Sequence, residues 1–285
     1  MEFKPNQPIC YNNQNYTLLL GENIVKIPLW NGKSQKLAFP VKPTIRAGEL
    51  DYQLIFGAKK GKGTLFHKKG KWYFAVTVAF EPDIAPAPKD KTMGIDLGFR
   101  QIAVASVKDR SGREVVRQFY SGAYAGFIRK KYRSVRKELG KAKKPHAIEK
   151  LNDKEARWMT DQNHKISRSL VNLAVQESVG TIVMENLSNI RRQVKSMKRA
   201  DRNIHSWAFY QLQQFIEYKA ELAGIEVIFE SPEYTSQKCS KCGTIKKSNR
   251  QRNLYRCNCG NRIHADLNAA RNIAGTFEEN LKQPA

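Results

Sequence analysis

Four cysteines near the carboxyl end constrain this chain more than any other feature. Cys239 and Cys242 form a C-x-x-C, Cys257 and Cys259 a C-x-C, and Gly243 and Gly260 follow the two pairs. Four thiolates so spaced can close a tetrahedral structural Zn²⁺ site. A glycine after each pair suits a knuckle whose backbone turns tightly toward the metal. Four of the five cysteines fall within about twenty positions, which speaks for a metal. No secretory signal precedes them, so disulfides are not expected and the chain reads as cytoplasmic. The second pair is one residue tighter than the commoner C-x-x-C.

Directly after the second knuckle comes HADLNAARNI. Asp266 opens a helix here, and Ala269, Ala270 and Ile273 share its face at i+3, i+4 and i+7. Two alanines make that face thin, so the helix can approach a sheet closely and its first-turn carboxylate can reach the sheet's edge. Alone, Asp266 would serve as a cap on the helix dipole. A larger role requires partner carboxylates elsewhere.

Fifty Lys and Arg against 26 Asp and Glu give a formal charge of +24, spread along the whole chain of 285 residues. A polyanion is the expected partner. No long apolar run supports a membrane role. Residues 1–90 read as all-β, from YTLLL, IVKIPLW, YQLIFG and a hairpin over Gly63 to Phe80 that turns at Lys68-Lys69-Gly70. Lysines cluster at the hairpin ends, either as a solvated turn or as a phosphate-contacting rim. EPDIAPAPKDK, from Glu81 to Lys91, is a Pro-rich linker.

TMGIDLGFRQIAVASV follows as one apolar strand interrupted by Asp96, an acid that is costly in a buried sheet unless it binds something. Gly94 and Gly98 leave room for a closely approaching ligand such as a metal-bound phosphate. A helical hairpin is expected over roughly Ala125–Gly140 and Asn152–Val179, its first helix basic enough to face nucleic acid. The strand Thr181 to Met184 ends on Glu185, where α/β sheets bind ligands. RRQVKSMKRADRN reads as a mobile basic loop over the site. A helix from His205 to Ala223 has an apolar stripe of Trp207, Tyr210, Leu212, Phe215 and Leu222 that reads as core, and Gly224 caps it. Ile225 to Phe229 is the last strand.

Asp96, Glu185 and Asp266 thus fall on two strands and a helix of one α/β domain. Three such carboxylates match the needs of two-metal phosphodiester cleavage, in which paired Mg²⁺ ions activate a water and stabilise the leaving oxygen.

GIDLG, VMENL and PEYTSQKCSKCG…YRCNCG…HADLNAARNI resemble, in order, the three RuvC motifs and the zinc ribbon of the TnpB (OrfB) family, the transposon-encoded RNA-guided endonucleases related to type V CRISPR effectors. WAFYQLQQFIEYKAELAG is similar to the family's helix before the ribbon, and the resemblance covers about residues 60 to 275. It implies an α/β RNase-H-like (RuvC) nuclease domain with an inserted zinc ribbon, preceded by a β-rich wedge domain that forms a partial barrel. The boundaries expected are 1–90 for the wedge, 91–231 and 264–285 for the nuclease domain with its tail, and 232–263 for the ribbon. Roles carried over make Asp96, Glu185 and Asp266 the catalytic Mg²⁺ ligands and Cys239, Cys242, Cys257 and Cys259 the Zn²⁺ ligands. A noncoding guide RNA and target DNA are the implied partners, and oligomeric state is left open. Family members usually carry a helical recognition segment after a first wedge strand, and this chain is expected to lack it. The alternative is a non-cutting or decayed guide-dependent DNA-binding protein of a transposable element; intact acids at all three positions argue against it.

Overall fold

The computed structural model describes residues 7–29, 35–42, 47–68, 70–81, 88, 90–186, 209–231 and 234–281. The basic segment 191–203, Trp207, Lys69 and most of the Pro-rich stretch 81–91 lie outside these residues. The chain divides into two compact units, Met1–Asp83 and Ile84–Ala285.

The first unit holds β1 (Ile9–Tyr11), β2 (Thr17–Leu19), β3 (Ile24–Pro28), β4 (Lys36–Pro40), α1 (Ala47–Ile55), β5 (Lys59–Lys68) and β6 (Lys71–Ala79). Two three-stranded antiparallel sheets form, ordered β1-β5-β6 and β2-β3-β4. Tyr11, Tyr16, Val25 and Ile27 are buried between them, with Leu65, Phe74 and Val76 packed alongside. The segment is therefore not all-β. YQLIFG, expected as a strand, supplies the last turn of α1 and the bend after it. Leu50, Asp51, Gln53 and Leu54 are half-buried while Tyr52, Ile55 and Phe56 are exposed, a spacing of three and four that a strand cannot produce.

The second unit is built on a five-stranded sheet. Its strands are β7 (Lys91–Leu97), β8 (Gln101–Asp109), β9 (Glu114–Ser121), β10 (Thr181–Glu185) and β11 (Glu226–Glu230). Their order is β11-β10-β7-β8-β9, with β10 parallel to both β7 and β11, and β8 and β9 antiparallel. The expected single strand TMGIDLGFRQIAVASV is two strands, because the chain turns back at 98–100 and the Gly98 amide donates to the Ile102 carbonyl. Asp96 consequently stands next to the last residue of β7 instead of mid-strand.

The remaining helices are α2 (Ala123–Lys141), α3 (Pro145–Gln176), α4 (Phe209–Glu221) and α5 (Ala265–Leu281). The helical hairpin is longer than expected, since Pro145 starts α3 with a ring already fixed at a helical φ. On α4 the buried residues are Leu212, Gln213, Ile216, Lys219 and Ala220, whereas Tyr210 and Leu222 from the expected stripe are exposed. Gly224 ends that helical segment at φ 70°. Met93 and Ile95 turn toward a core shared with α3 and α4. The alternate residues of β7 turn toward α5, which is buried nearly all round from Ala265 to Ala274. The four-cysteine segment forms a small ribbon of β12 (Arg250–Gln251), β13 (Leu254–Arg256) and β14 (Arg262–His264), and β14 runs directly into α5.

Candidate active site

Gly94 fixes how closely α5 lies on the sheet. A Cβ added there would sit 2.2 Å from the Ala270 carbonyl oxygen and 2.3 Å from the Ala274 amide nitrogen, so the space beside Gly94 is filled by helix backbone. This corrects the reading of Gly94 as room for a ligand. The thin alanine face predicted for the helix is the other half of the same contact.

Register then carries the acids together. Two residues along β7 from Gly94 is Asp96, a step of about 6.6 Å at strand spacing. Four residues back along α5 from Ala270 is Asp266, a step of about 6 Å at helix spacing. Both steps run in the same direction, so contact at Gly94–Ala270 brings Asp266 over Asp96. On the neighbouring strand Val183 pairs with Gly94 in parallel register, which puts Glu185 on the same face as Asp96. Asp96, Glu185 and Asp266 line one cleft of about 500 Å³, joined there by Arg100, Arg250 and Arg252.

Electrostatics within the cleft favour a cation. Burial, with Glu185 and Asp266 nearby, pushes the Asp96 carboxyl well above the ordinary carboxylate range, against the pull of Arg250. Burial also raises Glu185, opposed by a hydrogen bond from Thr235 and by Arg250. Carboxylates crowded until they resist ionising are relieved by an ion of opposite charge, and an all-oxygen donor set suits Mg²⁺ or Mn²⁺. The fit is therefore chemical as well as geometric.

Several positioning groups were missed in the sequence. The Arg250 guanidinium donates to Asp266 Oδ1 at 2.9 Å, from a ribbon strand sixteen residues upstream. The Thr235 hydroxyl donates to Glu185 Oε1, and Gln213 Nε2 donates to the Glu185 carbonyl at 2.6 Å. Asn268 and Asn272, one turn apart on α5 and both buried, tie that helix to the segment before the first knuckle. Asn268 Nδ2 donates to the Lys238 carbonyl at 2.7 Å, and Asn272 Nδ2 to those of Thr235 and Lys238, both at 2.7 Å. Two asparagines at i and i+4 beside the alanine face of the helix were the available signal; Arg250 and Thr235 sit among similar residues and carried none.

The cysteine sulfurs all lie within 4.8 Å of one another. Cys239 Sγ is 3.7 Å from Cys259 Sγ, and Cys242 Sγ is 3.6 Å from Cys257 Sγ. A tetrahedral site with Zn–S bonds of about 2.3 Å has edges of about 3.8 Å, so the four thiols can close around one zinc and the tighter second knuckle does not prevent it. Thr244, through its hydroxyl and its amide, holds Cys242 down to about 6. Asn261 Nδ2 donates to Cys239 Sγ at 3.3 Å, the kind of outer contact that orients a metal-bound thiolate. None of the five cysteines is in a disulfide.

A mixed sheet with helices on both faces, acids at the ends of two neighbouring strands and on a final helix, and a four-cysteine ribbon feeding that helix define a RuvC-type RNase-H-like domain. A family described as "Probable transposase" matches residues 75–191, and one described as "Cas12f1-like, TNB domain" matches residues 209–273. The TnpB-like protein MJ0751 of Methanocaldococcus jannaschii is 32% identical over 211 residues, covering 71% of this chain and 73% of that one. The chain belongs to the TnpB (OrfB) family. The CRISPR-associated endodeoxyribonuclease Cas12f1 of Sulfoacidibacillus thermotolerans is 39% identical over 226 residues, covering 73% of this chain and 50% of that one. The solved "Cas12f1-sgRNA-target DNA complex" superposes with a TM-score of 0.65 at 20% identity, over 88% of this chain and 59% of that one. The chain thus spans about half the length of the Cas12f1 relatives it matches. Among the described residues no helix is long and apolar enough to cross a membrane.

Proposed function

We propose that this chain acts as an RNA-guided, metal-dependent DNA endonuclease of a transposable element, using one RuvC site. The observation that carries the reading is the convergence of Asp96, Glu185 and Asp266 from β7, β10 and α5 into one cleft whose electrostatics call for a cation. In this reading the three acids hold a pair of Mg²⁺ ions, and the cysteines hold one structural Zn²⁺. Bound there, Mg²⁺ would supply Lewis-acid activation of a water and neutralise charge on the leaving oxygen. The chain's own groups do the rest. Thr235 and Gln213 fix the Glu185 side chain and backbone, Arg250 holds Asp266 in place and keeps a positive charge beside the reacting phosphate, and the ribbon sets the first turn of α5.

Guide RNA and target DNA are the proposed partners. The charge of +24 supports a polyanion, and the resemblance to a complex solved with both supports these two. Pairing would supply sequence specificity while the protein reads shape and backbone charge. In this scheme residues 1–90 form the wedge, 91–231 with 264–285 the nuclease domain and 232–263 the ribbon. The exposed basic residues of α2 face nucleic acid. A cytoplasmic setting would keep the cysteines reduced for zinc.

The test is to purify the chain with its associated RNA, sequence that RNA, and assay a plasmid carrying a matching target. Mg²⁺-dependent, guide-dependent cutting by the wild type, lost in Asp96→Ala with nucleic-acid binding kept, is expected. Target binding without cutting would favour the non-cutting regulator instead.

A further inference from the structure

Three arginines line the cleft, and only one is occupied with the acids. Arg250 pairs with Asp266 and is the cation that acts on Asp96 and Glu185; Arg100 and Arg252 do not enter the balance of either carboxylate. Both are exposed, each on a turn at the cleft's rim. Arg100 lies in the turn between β7 and β8, three residues after the β7 end that carries Asp96. Arg252 lies in the two-residue turn between β12 and β13, two residues after Arg250. The turns touch, since the Arg100 guanidinium donates to Asn253 Oδ1.

Arg252 also stands where its backbone would rather have another residue. It takes φ 54° at the first position of its hairpin turn, the left-handed region in which glycine or asparagine is favoured and a long side chain is strained. No carboxylate among the described residues pairs with it. A strained, unpaired guanidinium on the rim of an acidic cleft points to a ligand bearing negative charge.

We propose that Arg100 and Arg252 form a phosphate clamp, gripping the backbone phosphates that flank the one seated over the acids. The clamp rests on the nuclease reading and adds to it the groups that hold the strand in register. Guanidiniums suit this task because their planar forks meet phosphate oxygens in pairs and never lose charge. Contacts to phosphates beside the reacting one are made equally before and during reaction, so they act on substrate binding and leave the chemical step nearly alone.

The experiment measures initial rates against concentration of the target DNA strand, using the RNA-loaded chain in Mg²⁺. Arg252→Gly and Arg100→Ala should each raise KM about tenfold, as one lost charge-assisted contact would, with kcat within about twofold of wild type and partial recovery in Arg100→Lys. Asn253→Ala removes the partner of Arg100 and keeps both cations, so its KM should match wild type; a KM as high as that of Arg100→Ala would reduce Arg100 to a strut between turns. Arg252→Gly should melt no lower than wild type, since glycine accepts the turn's φ. Unchanged KM in both arginine variants overturns the clamp while leaving the nuclease reading standing. If the wild type cuts nothing, that reading fails, and the clamp is judged on affinity for trithymidylate in Ca²⁺: several-fold weaker in Arg252→Gly supports it, equal affinity overturns it.

Discussion

Asp96 stands where an ionised carboxylate is least welcome, and this has a consequence for stability that needs no substrate. Its folded-state titration lies above the unfolded one, so the stability contributed by the protonated form is full below the unfolded value of about 3.9 and fades as pH rises through the folded value. In EDTA, Asp96→Asn should therefore melt higher than wild type at neutral pH, and the gap should close on acidification. Thermal melts across the pH range check this; a variant less stable than wild type at neutral pH would mean that Asp96 is well paired without metal. Mg²⁺ must displace the same proton, so the Mg²⁺ concentration needed for cleavage should fall as pH rises. Asp96 and Glu185 stood out in the sequence because they interrupt or end apolar runs, and Asp266 because it opens a helix directly after the second knuckle. Arg250 and Thr235 were not, because their roles come from ribbon strands and turns whose placement only the fold supplies.

At the scale of elements, the site depends on α5 lying against β7 with backbone touching backbone. Gly94→Ala forces a methyl into the Ala270 carbonyl and Ala274 amide, atoms that cannot swing aside. The cost should be about 3 kcal/mol, the upper end for overpacking, with loss of cleavage as Asp266 moves off Asp96. Denaturant unfolding measures the first and an activity assay the second; a variant as stable and active as wild type would disprove the register argument. Asn272→Ala should cost about 1–3 kcal/mol by removing the buried side-chain donor to the Thr235 carbonyl, while the Lys238 carbonyl keeps its bond from Asn268. Alternation and spacing revealed most strands and the thin helix face, but they did not reveal the turn at 98–100. A run of sixteen mostly apolar residues contains no signal of reversal stronger than one glycine, and pairing between its two halves decides the matter. The helix α1 was hidden in the same way, because YQLIFG alone favours strands and its helical spacing emerges only with Leu50 and Asp51 before it.

For the molecule as a whole, the ribbon is the part that links the four thiols, the helix and the cleft. It carries Arg250, it leads through β14 into α5, and Asn268 and Asn272 bind it back to that helix. Stripping zinc, or Cys239→Ser, should thus lower both the melting temperature and nuclease activity, with elemental analysis of the native protein giving about one Zn per chain. Folded, active protein without zinc would separate the ribbon from catalysis. Binding of RNA should weaken steeply with salt, in a straight line of log affinity against log salt concentration, as a chain of charge +24 requires.

If Asp96, Glu185 and Asp266 form one metal site, crystals soaked in Mn²⁺ should show anomalous peaks between them, two of these about 3.5–4 Å apart when a nucleic-acid strand is bound. Mn²⁺ absent from the acids at millimolar concentration, with Arg250 still paired to Asp266, would mean that they hold no such site.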